Sequence, residues 1–169
     1  MARRHPLTLY LQGHHAAGGA AVATVGQQAA IEPATDLGRL LAQLADEIAE
    51  DRATLHDAMA RLGVRPSAVH DVSARIGGWI GRWVLRAHNP GPHAARLIGL
   101  ESLSLGIEGK LRLWVTLRAL SAGDDRLDGI DLDALIERAE QQRISLEPHR
   151  LEAARAADAE SESSAAAKS

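Results

Sequence analysis

The chain has 169 residues with 19 Lys and Arg against 22 Asp and Glu, a net charge of −3. No basic stripe is concentrated on one segment, so nucleic acid is not expected as a partner. Cysteine is absent, which excludes disulfides, thiolate metal sites and a cysteine nucleophile and fits a reducing, cytoplasmic compartment. With no Phe, one Tyr and three Trp, the core has to come from Leu, Ile, Val and Ala, and the shortage of strand formers predicts an all-α fold.

The length suits a single domain with a real core. Arg3 and Arg4 precede an apolar run over residues 7–11, but Gln12, Gly13, His14 and His15 end it too early for a secretory signal. No stretch reaches the roughly 18 continuous apolar residues of a membrane span.

A first helix is expected over residues 7–30, striped by Leu7, Leu11, His14, Gly18, Val22 and Val25. Gly18 and Gly19 make it slim and cost about 1 kcal/mol each against Ala. Thr35 or Asp36 then caps a second helix over 36–62, marked by Leu37, Leu41, Leu44, Ile48, Leu55 and Met59. Gly63 supplies its stop, and Pro66 follows. Glu47 and Asp51 stand four apart beside the apolar stripe of this helix.

A third segment, 67–86, carries Val69, Val72, Ile76 and Ile80, with Gly77, Gly78 and Gly81 beside Trp79 and Trp83. Small residues there allow close helix packing or leave a slot for a ligand. The longest expected helix runs over 92–120, opened by Pro92 and striped by Leu100, Leu103, Ile107, Leu111, Trp114 and Leu117. Glu101 and Glu108 interrupt its leucines seven residues apart, roughly 10 Å along the axis. Asp131 reads as the N-cap of a last helix over 132–146, which Pro148 breaks or kinks. Residues 153–169, rich in Ala, Ser and Glu, read as a disordered tail after a single domain over 1–152.

Short connections imply antiparallel neighbours. The expected architecture is therefore an antiparallel four-helix bundle with a fifth, C-terminal helix. Mirroring successive helices about their turns places His14 level with Asp51, Gly78 and Glu101, with Glu47 one turn away. Two readings of that layer follow. One is a buried hydrogen-bond network in which His14 bridges the carboxylates and Arg52, Arg82 or Lys110 neutralises the remainder. The other is a metal site in which His14, Glu47, Asp51 and Glu101 hold iron, manganese or zinc. No GxSxG, Walker loop, GxGxxG or HExxH motif is present, and GIEG at 106–109 falls inside a helix.

The stretches LYLQGHHAAG, EIAEDRATL and LESLSLGIEGKLRLW resemble a bacterial, mostly actinobacterial, family of ferritin-like helical-bundle proteins. That resemblance covers about residues 7–120. It implies a bundle and, in ferritin-like di-metal proteins, a Glu from each of two helices with an E-x-x-H pair from each of the others. Here Glu47 is followed at the third position by Glu50, and Glu101 by Ser104. The expected function is a non-catalytic scaffold or interaction module, self-associating as a homo-dimer. The alternative is a degenerate metal-binding oxidoreductase or metal store using iron or manganese.

Overall fold

The computed structural model describes residues 6–66 and 91–166. They form four α-helices and one short 3-10 helix, with no strand among the described residues. Helix α1 spans Pro6–Ile31, α2 Asp36–Arg61, α3 Pro92–Ser121 and α4 Leu132–Ala166. The 3-10 turn Asp125–Leu127 links α3 to α4. The third segment of the sequence, with its glycines and Trp79 and Trp83, lies outside the described residues, as do Arg3 and Arg4. No described helix is long and apolar enough to cross a membrane.

Local chemistry sets the helix ends. Thr35 Oγ1 accepts the Gly38 N–H at 3.0 Å, satisfying one of the free donors at the start of α2. At the other end Gly63 adopts φ 72°, a left-handed conformation that glycine reaches without strain, and Val64 N–H returns to the Met59 carbonyl at 2.8 Å. Asp131 Oδ1 accepts the Ala134 N–H at 2.9 Å and opens α4.

Helices α1 and α2 fold back on each other. Arg52 of α2 lies along Gly18 and Gly19 of α1, and Gln12 near the start of α1 donates to the Arg65 carbonyl beyond α2 at 2.8 Å. Helices α3 and α4 fold back likewise. Arg118 pairs with Asp133 at 2.6 Å near their turn, Arg143 with Glu108 at 2.9 Å further along, and the Glu160 side chain lies against Gly91 at the far end. The two hairpins meet at both ends. Arg96 pairs with Glu32, and Arg61 donates to the Asp128 carbonyl at 2.7 Å.

One apolar core runs through all four helices, with Leu11, Leu44, Met59, Leu100, Trp114 and Leu146 among its most enclosed side chains. The stripe expected on α3 is the buried one, from Leu100 to Leu117. On α1 the pattern differs. His15 is buried at 8% exposure and His14 only half-buried, because the inward line runs Leu11, His15, Val25 and Ala29.

The C-terminal part departs from expectation. Helix α4 does not stop near 146, and the stretch expected to be a disordered tail from 153 is helical as far as Ala166. Pro148 sits inside the helix and removes only the bond its own N–H would have given to the Ile144 carbonyl. That carbonyl belongs to a residue 63% exposed, on the side where water can take the missing donor's place. Beyond it, LEAARAADAE is built from strong helix formers, and Arg150 pairs with Glu147 through two bonds at 2.7 and 2.8 Å across the proline. Ala153, 3% exposed, still packs on the core.

Candidate functional site

Among the described residues the most enclosed charged group is Asp51, 2% exposed on the inward side of α2. A carboxylate taken that far from water needs a counter-charge. Lys110 of α3 provides it, donating from Nζ to Asp51 Oδ2 with its side chain 13% exposed. The same ammonium donates to Gln142 Oε1 of α4. Gln142, 3% exposed, in turn donates from Nε2 to Glu47 Oε2 at 2.7 Å, and Glu47 Oε1 accepts from Gln43 at 2.7 Å. Arg138 of α4 closes the group, with Nη1 at 2.8 Å from Glu50 and 3.5 Å from Asp51 Oδ1. Among the described residues, that Oδ1 accepts no hydrogen bond.

The result is a directional chain, Lys110 to Gln142 to Glu47, across three helices from both hairpins. Burial pushes the Lys110 pKa down. Asp51 and Glu47 act the other way by favouring the charged ammonium, and Arg138 adds to the depression. In a surround of low dielectric these bonds are strong while paired and costly when one partner is lost.

The sequence-derived residues separate. Glu47 and Asp51 belong to this network. His14 stands on α1 opposite Gly109, with its ring edge-on to Tyr10 at 4.6 Å between centroids, and burial lowers its pKa. Glu101 is exposed, within electrostatic reach of Arg150. The layer expected from mirroring is therefore corrected: the α3 residue level with Asp51 is Lys110, about 13 Å along the axis from Glu101. The mirroring passed through segment 67–86, so uncertainty at each turn accumulated into the position of α3.

The metal reading meets the same geometry. The cation beside Asp51 is an ammonium, and His14 and Glu101 do not join the two acids of α2. Among the described residues, no group of three or more His, Asp or Glu is placed to hold a metal ion.

Lys110 was legible in the sequence as a neutralising partner. Gln142 and Arg138 were not singled out, although Gln142 carries a signal. It interrupts the inward line Leu135, Ala139, Leu146 and Ala153 of α4 as the one amide. A second polar contact was also missed. The ring of His15 lies 5.5 Å from that of His56 on α2, and Arg52 Nε donates to the His15 carbonyl at 3.3 Å. Burial, then Arg52, then His56 lower the His15 pKa.

Compared with known proteins, the chain matches no family model, no curated protein and no solved structure.

Proposed function

We propose that the protein is a non-catalytic helical scaffold or interaction module of the cytoplasm, self-associating through its outer helix faces. The observation that carries this reading is the closed state of the polar layer. Lys110 is held by Asp51 and Gln142, and Gln142 spends its amide on Glu47, so the ammonium and the amide at the centre are taken up within the layer, while Asp51 Oδ1 has only the Arg138 guanidinium 3.5 Å away. Such a layer suits the setting of register between helices, since only one alignment of the two hairpins pairs every charge. The antiparallel four-helix bundle, ferritin-like in appearance and joined by a further helix, is the architecture we propose with it. The contact levels Gln28 with Gly99 and His14 with Gly109 support that arrangement.

Thermal melting with chelator and with added Fe(II), Mn(II) or Zn(II) tests the reading, together with sedimentation over a range of concentrations. The expected result is a Tm indifferent to metal and a mass that rises with concentration. A metal that raises the Tm by mass action, with the gain lost in Asp51→Leu, would replace this reading by a metal store or metal-binding oxidoreductase.

A further inference from the structure

The outward side of α4 is lined by Glu140, Ile144, Glu147, Pro148, Leu151 and Arg155, which border an open groove beside Ser104 of α3. This side is opposite the buried line through Ala139, Gln142, Leu146 and Ala153. Ile144 is 63% and Leu151 40% exposed, two large apolar side chains on one face, two turns apart.

The order of residues along this face has a two-fold pattern centred on the Glu147–Pro148 bond. Ile144 and Leu151 lie three residues to either side of that pair, and Glu140 and Arg155 lie seven to either side. Matched positions are therefore apolar with apolar and acid with base. Glu147 is already held by Arg150 and Arg143 by Glu108. Glu140 and Arg155 make no side-chain hydrogen bond or ion pair with any described residue and remain available.

We propose that a second copy of this chain docks here, its α4 antiparallel to the first, about a two-fold axis that passes between the two helices at the level of the Glu147–Pro148 bond. The inference rests on the self-associating scaffold reading and assigns its surface. Rotation about that axis sets Ile144 of each copy on the partner's Leu151 and Glu140 of each copy on the partner's Arg155, so every contact forms twice. The opposite charges at matched positions are what select a copy of this chain over an unrelated apolar partner. Sixteen residues of helix give a contact about 24 Å long. That is a small interface, so the dimer is weak and concentration-dependent.

The test is sedimentation equilibrium on the full chain from about 1 µM to about 1 mM, with circular dichroism to confirm folding of each variant. All three substituted residues are exposed and leave the core untouched. The wild type is expected to dimerise. Ile144→Arg should weaken the dimer at least tenfold, and Glu140→Arg or Arg155→Glu each several-fold. The double variant Glu140→Arg with Arg155→Glu should return to near the wild-type constant, because the pair is restored with its signs exchanged. If the wild type dimerises and these variants match it, this surface is wrong and the scaffold reading stands on another face. If the double variant stays as weak as the single ones, the two-fold pairing is wrong. If the wild type is monomeric throughout, both the surface and the self-associating reading fall.

Discussion

Lys110 reaches from α3 to Asp51 on α2, fifty-nine residues away in sequence, and with Arg138 of α4 it ties the two hairpins together around one buried carboxylate. Lys110 and Asp51 are both withdrawn from water, so the energetics of their pair differ from those of the exposed pairs Arg39 with Asp36 and Arg118 with Asp133. Exposed pairs contribute about 0–1 kcal/mol. Removing one member of an enclosed pair strands the other.

Lys110→Met should therefore destabilise the protein by about 3 kcal/mol, the lower end of the usual range for a broken buried pair. The lower end applies because Arg138, at 3.5 Å from Asp51 Oδ1, still offsets part of the stranded charge. Adding Asp51→Leu to Lys110→Met should recover most of the loss, since no unpaired charge is left inside. Urea unfolding of the wild type, both single variants and the double variant closes the cycle. A double variant as unstable as Lys110→Met would show that the charges are not coupled.

The two neighbouring histidines of α1 predict acid sensitivity. His14 and His15 both titrate below the ordinary value of 6.5, His14 through burial and His15 through burial, Arg52 and His56. Below pH 6.5 the unfolded chain takes up protons that the folded chain refuses. Stability is thus fully present above about pH 6.5 and falls as the pH drops from there through the folded values. The Tm should decline on acidification from pH 7.5, and His15→Gln should flatten that decline. A His15→Gln profile parallel to the wild type would assign the sensitivity elsewhere.

Two glycines should respond to alanine with opposite signs. At Gly38 a Cβ would collide with the Glu32 carbonyl in the α1–α2 turn, a backbone atom that can move aside only by shifting the turn itself. Gly38→Ala should cost about 1–3 kcal/mol, as overpacked sites do. At Gly18 a Cβ would meet the Arg52 side chain at 3.6 Å, an ordinary contact. Gly18→Ala should stabilise the protein by about 0.5–1 kcal/mol through helix propensity. Thermal melts of the two variants side by side check both signs.

Much of this architecture could be read from local signals. Thr35, Gly63 and Asp131 mark helix ends through contacts made within a few residues of themselves, so the chain shows them without its fold. The apolar stripe of α3 is equally plain, as is the need of Asp51 for a cation. What could not be read was alignment between distant helices. Whether Glu101 or Lys110 faces Asp51 depends on the rise and turn of every residue between α2 and α3. His14 and His15 illustrate the same limit at smaller scale, since a rotation of about 100° exchanges which one is buried. Pro148 misled for a different reason. Its local cost is real, but the helix formers beyond it and the Glu147–Arg150 pair favour continuing the helix.

Pro148 also partitions α4 in time. Before it, Leu135, Ile136, Ala139, Gln142 and Leu146 tie the backbone to the core. After it, Ala153 is the one buried residue among the described side chains. Unwinding from Ala166 inward thus exposes little apolar surface until the proline, where a ladder bond is already missing. Amides of the last four turns should exchange with solvent through such fraying, while those around Gln142 wait for opening of the whole core. A partner could reshape the outer end of α4 in this way and leave the charges at Asp51 and Lys110 undisturbed.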